Sequence, residues 1–268
     1  MTGARPGRFG DLGPRVASGV ALALVGLLFL RLGGGWFAGF AALAAAAMLW
    51  EMHSVATGED ALLAPAFVAT AAAGALAVVL TWSGGPILGA GALLVGAFGA
   101  RLTPQRDARP WLVAGLVYIG GAMCFATLLR DGLGFAAALW LVLVVVAADV
   151  GAYFAGRAIG GPKLWPAVSP AKTRSGAVGG LAAAVLVGIA VALAASWPMA
   201  RVAALSLVLA MASQAGDLLE SALKRHFGVK DASGLIPGHG GVLDRLDGVM
   251  GALWVFGLYV LAGGRLEG

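Results

Sequence analysis

Charge is scarce in this chain. Only 12% of its 268 residues are Asp, Glu, Lys or Arg, against about 25% in a soluble globular domain, which excludes an ordinary water-exposed surface. Cysteine is nearly missing. Cys124 is the single thiol, so no disulfide can form within one chain. Its place in an apolar run denies it the electropositive, exposed setting of a thiol catalyst. No internal repeat is evident, which removes the usual mark of a transporter built from inverted halves. A basic stripe is missing too. The net charge is +5 and the isoelectric point near 9.9, yet the lysines and arginines sit in short loops between apolar runs. That is the positive-inside pattern of a membrane protein, and nucleic acid is not an expected partner.

What is abundant agrees. Hydrophobic residues make up 60% of the chain, glycine contributes 43 residues, and the mean hydropathy is +0.91. Glycine at this level suits close helix–helix approach in a bilayer. Apolar runs near the ~20 residues of a bilayer crossing predict an all-α, polytopic integral membrane protein with about nine transmembrane helices. The candidate spans are Arg15–Leu30, Gly34–Trp50, Leu62–Trp82, Pro86–Ala100, Trp111–Leu129, Gly134–Ala155, Gly176–Trp197, Ala200–Ser221 and Leu246–Gly263. The first run follows Arg5, Arg8 and Arg15, as a signal peptide would, but the next begins almost at once and no clean A-x-A site intervenes. A retained span is the expectation.

Orientation follows from the basic residues. With the N-terminus inside, the inner segments hold Arg5, Arg8, Arg15, Arg101, Arg106, Arg109, Arg157, Lys163, Lys172, Arg174, Lys224, Arg225, Lys230 and Arg245. The outer segments keep Arg31, Arg130, Arg201 and Arg265, so fourteen of the eighteen lie inside. This predicts a protein of the inner or plasma membrane with a cytoplasmic N-terminus and an outside C-terminus. The two long hydrophilic loops, 156–175 and 222–245, then face the cytoplasm.

The polar chemistry concentrates between Ser213 and Gly248. Read as a helix, Ser213, Asp217, Glu220, Ser221 and Lys224 recur at steps of three and four and share a face. A glycine-rich turn, Pro237 to Gly241, leads to Asp244 and Asp247 at i and i+3 with Arg245 beside them. A carboxylate at membrane depth costs about 2.5–3.5 kcal/mol on insertion scales, so it usually serves a site. Interleaved with Lys224, Arg225, Lys230 and Arg245, these carboxylates have the makings of a metal–nucleotide site. Hard divalent cations take oxygen ligands, and phosphates take cations and N–H groups. An all-carboxylate set favours Mg²⁺ over zinc. Glu220 either ligates or pairs with Lys224 at i+4. His239 suits a phosphate contact better than a metal.

Other stretches add to this. Asp149 lies deep in LWLVLVVVAADVGAYFAGR, on one helical face with Tyr153 and Gly156. The following loop is not a P-loop: Gly156 and Gly161 have the spacing, but Pro162 follows and an apolar helix precedes. Its end, Ser169-Pro170-Ala171-Lys172-Thr173-Arg174-Ser175-Gly176, is basic, rich in hydroxyls and enters a helix, where phosphate oxygens are readily held. The first hundred residues carry little chemistry. Glu51 and His53, just after Trp50, read as polar groups snorkelling at a span end. Arg101 to Pro110 reads as a basic turn that fixes topology and touches anionic lipid.

These motifs resemble those of the phosphatidate cytidylyltransferase (CDP-diglyceride synthase) family. The order S-x-x-K-R, K-D, P-G-H-G-G-x-x-D-R-x-D stands here as Ser221, Lys224, Arg225, Lys230, Asp231, Pro237 to Gly241, Asp244, Arg245 and Asp247. Ala148 to Tyr153 with Gly156 and Arg157, and Ser169 to Thr173, resemble two further stretches of the family. Trp50-Glu51 is similar to a pair at the end of its second span. Arg174 and Ser175 depart from the family, which commonly continues with an aromatic and an acidic or amide residue.

The resemblance implies that CTP and phosphatidate give CDP-diacylglycerol and pyrophosphate, by in-line attack of a phosphatidate oxygen on the α-phosphorus. It implies Asp217 and Asp244 as Mg²⁺ ligands, with a second cation left open and Asp247 bridging or supporting them. Lys224 and Arg225 join these carboxylates as catalytic residues. Asp149, Tyr153, Ser169, Lys172, Thr173, Ser221, Lys230, Asp231, His239, Gly240, Gly241 and Arg245 are the expected substrate-binding residues. Residues 1–110 then form a scaffold of helices and residues 111–268 the catalytic region. CTP, phosphatidate and membrane lipids are the expected partners, with a homodimer left open. Two readings compete: a CTP-dependent enzyme acting on another lipid acceptor, and a polytopic transporter whose carboxylates bind coupling ions.

Overall fold

The computed structural model describes residues 12–59, 62 and 64–266. The chain is helical almost throughout, in the order α1 (Leu12–Leu32), α2 (Gly34–Thr57), α3 (Pro65–Gly84), α4 (Pro86–Gly99), α5 (Arg109–Gly115), α6 (Gly121–Gly132), α7 (Gly134–Ile159), β1 (Lys163–Trp165), β2 (Ser169–Thr173), α8 (Arg174–Ala195), α9 (Met199–His226) and α10 (Leu243–Leu261). A π-helical turn, Leu116–Gly120, joins α5 to α6 into one rod. Arg5 and Arg8, counted among the inner charges, lie outside the described residues.

Six stretches are long and apolar enough to cross a membrane: 34–57, 65–84, 106–132, 134–159, 174–195 and 199–226. The apolar parts of α1 and α4, Val16–Leu32 and Pro86–Leu102, are shorter, and the first turns of α10 carry Asp244, Arg245 and Asp247. An all-α polytopic membrane protein is therefore what the structure shows, with six membrane-length helices among the described residues rather than a demonstrated nine.

Proline and glycine set the breaks. Pro65 and Pro86 open α3 and α4, where a missing N–H costs nothing. The second span overruns its expected end at Trp50. Nothing breaks the helix until Gly58, whose left-handed backbone (φ 71) closes α2 with its N–H on the Ser54 carbonyl at 2.9 Å. Two extra turns of α2 therefore carry Glu51 and His53 into the protein. Neither snorkels at an interface: they are 0% and 2% exposed.

Small residues bring the helices together. On α8 the buried positions are Gly176, Gly180, Ala184, Gly188 and Ala192, one every fourth residue, so a single row of minimal side chains faces its neighbours. A Cβ on Gly180 would lie 2.5 Å from the Ala148 carbonyl of α7, and one on Gly216 of α9 the same 2.5 Å from the Asp247 carbonyl of α10. The C-terminal helices thus touch backbone to backbone. Trp140 fills the centre of this region, fully buried, with its indole N–H donating to Ser206 at 3.0 Å. The loop expected at 156–175 is more ordered than its composition suggests. It folds as an antiparallel hairpin with Lys163 opposite Thr173 and Trp165 opposite Ser169.

Candidate active site

One end of the bundle collects the polar side chains. The last two turns of α9 approach the first turn of α10, and Lys224 lies between them. Its ammonium is 2.6 Å from Glu220 Oε2 and 2.6 Å from Asp244 Oδ1, and the two carboxylates are only 3% and 4% exposed. Of the two roles open to Glu220, the structure shows the i,i+4 pairing. Lys224, expected to neutralise substrate phosphate, is committed to two protein carboxylates.

Asp244 is committed as fully. Its Oδ1 accepts from Lys224, while Oδ2 accepts the N–H groups of Ala232 at 3.0 Å and Gly241 at 2.8 Å. The carboxylate pulls both ends of the 232–241 loop onto the start of α10. Asp217, its expected partner at a metal, stands apart from this knot. It forms an ion pair with Lys172 of the hairpin, and both side chains remain nearly a third exposed. Asp217 also lies within electrostatic reach of Asp149 on α7 and Asp247 on α10, and Asp149 in turn feels Lys172 and Arg245. Three helices thus contribute three carboxylates to one electrostatic group, with Lys172 and Arg245 at its edge.

Beside this group the glycine turn shapes a pocket of about 410 Å³ lined by Lys230, Asp231, Ser233, Gly234, Ile236, Gly238, His239, Gly240 and Arg245. The turn is closed by the Ile236 N–H on the Gly240 carbonyl at 2.8 Å, with Gly238 and Gly240 at φ 75 and 81. These are left-handed angles that glycine adopts without strain. His239 reaches this lining from the side: its Nδ1 meets Ser18 Oγ of α1 at 2.9 Å, and the same hydroxyl lies 3.0 Å from the Pro237 carbonyl.

The expected substrate-binding residues separate into those that meet and those that do not. Lys230, Asp231, His239, Gly240 and Arg245 share the pocket wall, and Lys172 meets the acidic group through Asp217. Thr173 has another task. Its hydroxyl caps α8 by accepting the Gly176 N–H at 3.1 Å, a typical stabilisation of about 1 kcal/mol. Ser175, where the sequence departs from the family, donates to the Gly160 carbonyl and ties the hairpin base together. Ser169 lies in β2 and Ser221 half-buried on α9, while Arg225 is exposed at the end of that helix. Tyr153 points outward, 61% exposed, edge-on to Phe154 at 5.3 Å. Gly156, expected on one face with Asp149 and Tyr153, instead packs against Thr173 at the end of β2 and Gly176 of α8. Gly241 lends its N–H to Asp244 and so has no backbone donor left for substrate.

Glu51 is the residue that sequence reasoning missed. It comes from α2, yet its Oε1 accepts from Ser233 Oγ at 2.6 Å and from the Val242 N–H at 2.8 Å, and its Oε2 accepts the Leu243 N–H at 2.7 Å. The Trp50-Glu51 pair was the available signal.

Membrane-length helices that gather carboxylates, lysines and a glycine turn at one end define a polytopic membrane protein with a charged cluster at that end. The chain belongs to the cytidylyltransferase family, whose match covers residues 14–262. It is 39% identical over 253 residues to a phosphatidate cytidylyltransferase of Brucella suis biovar 1 (strain 1330), spanning 92% of this chain and 93% of that protein. It is 42% identical over 137 residues to the phosphatidate cytidylyltransferase of Bacillus subtilis (strain 168), covering 49% of this chain and 50% of that one. The protein of that name from Staphylococcus aureus (strain COL) is 41% identical over 138 residues, 50% of this chain and 52% of that one.

Proposed function

We propose that this protein transfers the cytidylyl group of CTP to phosphatidate, giving CDP-diacylglycerol and pyrophosphate for phospholipid synthesis. The observation that carries this reading is the nearly end-to-end similarity to a protein named phosphatidate cytidylyltransferase. The sequence motifs of that reaction class gather at one rim of the bundle. In the reaction a phosphatidate oxygen forms a bond to the α-phosphorus of CTP, and the bond from that phosphorus to the bridging oxygen breaks as pyrophosphate leaves. A phosphate monoester with a second pKa near 6 is already mostly dianionic at neutral pH, so no protein nucleophile is needed. Positioning and charge neutralisation remain for the protein.

The residues present fit a hard divalent cation. Asp217, Asp149 and Asp247 offer only oxygen, and Asp217 is partly exposed beside Lys172. No group of three His, Cys, Asp or Glu side chains is arranged as a ready cage among the described residues. Mg²⁺ commonly takes one or two carboxylates and completes its shell with substrate phosphates and water. Asp217 would hold it with help from Asp149 or Asp247, and Asp244 could join only by releasing Lys224 or its loop amides. A bound Mg²⁺ supplies charge neutralisation at the phosphates. Lys172 would exchange Asp217 for a phosphate oxygen, and Lys230, Arg245 and His239 would orient the nucleotide in the pocket.

In this reading α1, α4 and α10 also cross the bilayer, the N-terminus and the rim are cytoplasmic, and the C-terminus is outside, as the charge asymmetry favours. CTP then arrives from water while the lipid enters sideways between helices. The test is direct: purified protein with radiolabelled CTP and phosphatidate, with and without Mg²⁺, should yield labelled CDP-diacylglycerol only when both substrates and the cation are present. Product formation with a different lipid phosphate or alcohol, and none with phosphatidate, would move the assignment to that acceptor.

A further inference from the structure

We infer that Glu51, in the N-terminal half of the chain, is a positioning residue of the pocket on the C-terminal half; the inference rests on reading that pocket as the nucleotide site. The loop from Ala232 to Leu243 hangs between two carboxylates. Asp244, from within the loop's own helix, takes the Ala232 and Gly241 amides. Glu51, from α2, takes the Ser233 hydroxyl and the Val242 and Leu243 amides. Ser233 itself lines the pocket and accepts the Leu235 N–H at 3.1 Å, so the contact with Glu51 passes directly into the wall.

The fit leaves no slack. Glu51 is 0% exposed, and a Cβ on Gly241 would stand 2.5 Å from its Oε1. The carboxylate therefore lies flat against the glycine backbone. A carboxylate at a helix N-terminus meets free N–H groups and the positive end of the helix dipole, the same features that attract phosphate. By occupying that position at α10, Glu51 removes the Val242 and Leu243 amides from competition. Nucleotide phosphates are left to His239, which lies in the loop that Glu51 holds, and to Lys230 and Arg245, which flank that loop in the pocket wall. Charge-assisted hydrogen bonds are shorter and about twice as strong as neutral ones, which is why a carboxylate rather than an amide is required.

The test compares wild type with Glu51→Gln, Glu51→Asp and Ser233→Ala, with Glu59→Gln as the control, exposed just beyond the end of the same helix. Two quantities are read: KM for CTP against KM for phosphatidate, and amide hydrogen exchange across residues 232–243 against α8. Glu51→Gln should raise KM for CTP about 10-fold or more, the loss carried by one charge-assisted hydrogen bond. KM for phosphatidate should stay within about 2-fold, and exchange should quicken in 232–243 alone. Ser233→Ala should move both readouts in the same direction by less, and Glu59→Gln neither. Should Glu51→Gln fail to accumulate, Glu51→Asp and Ser233→Ala carry the same two readouts. Equal changes in both KM values, or exchange that quickens evenly over α8 and the loop, overturn the positioning role. A wild type that makes no CDP-lipid defeats the assignment of the reaction, while the exchange comparison still decides whether Glu51 orders the loop.

Discussion

Replacing Lys224 by methionine gives the sharpest energetic test of the rim. The side chain keeps its length and apolar stem but loses the ammonium that stands 2.6 Å from both Glu220 and Asp244. Those carboxylates are 3% and 4% exposed, so water cannot replace the lost cation. Removing one partner of a buried ion pair typically costs about 3–5 kcal/mol, because the remaining charge is left uncompensated. At roughly 2–4 °C per kcal/mol for a chain of this size, the melting temperature should fall by about 6–20 °C. Thermal unfolding of the purified protein in detergent measures this. Adding Glu220→Gln to Lys224→Met removes one of the two stranded charges and should recover about half of the loss. A Lys224→Met protein that melts at the wild-type temperature yet has lost turnover would refute the reasoning. Lys224 would then be a substrate contact rather than the bolt between α9 and α10.

Three further expectations concern the hairpin, the helix it enters and the membrane. Lys172→Ala should raise KM for CTP or for phosphatidate while barely changing the melting temperature, since its ion pair with Asp217 is nearly a third exposed and such pairs contribute about 0–1 kcal/mol. Arg174→Ala, where the chain departs from its family, should leave kinetics unchanged if that position only sets topology, and steady-state assays separate the two. Reporter fusions at Gly161 and Arg265 should give opposite signals, because in the proposed topology three crossings, α8, α9 and α10, lie between them; matching signals would refute that topology.

Much of this was legible in the residues, for reasons of chemistry. Apolar runs announce helices, and Pro86 opens one where expected, whereas Gly58 and Pro65 set breaks that the expected bounds at Trp50 and Leu62 did not use; carboxylates set among lysines announce a site. The pairing was harder to read. Asp244 and Lys224 were both identified, but that they bind each other depends on how α10 meets α9 through Gly216, a contact that no local pattern encodes. Thr173 looked like a phosphate ligand because N-caps and phosphate sites use the same hydroxyls at the same helix starts. Glu51 was hidden most deeply. Its partners are 182 to 192 residues away, and two of the three are backbone amides, which any sequence supplies.

The central claim is that a carboxylate group centred on Asp217 carries cation-dependent transfer at the rim. The most direct measurement is CDP-lipid formation over a Mg²⁺ titration for wild type and Asp217→Asn. Asparagine keeps the shape and one oxygen but loses the charge, and the exposed pair with Lys172 contributes little to folding. The account predicts an unchanged melting temperature with a rate loss of at least ~10³ that added Mg²⁺ does not restore. An Asp217→Asn protein with near-normal turnover and an unchanged Mg²⁺ dependence would contradict it.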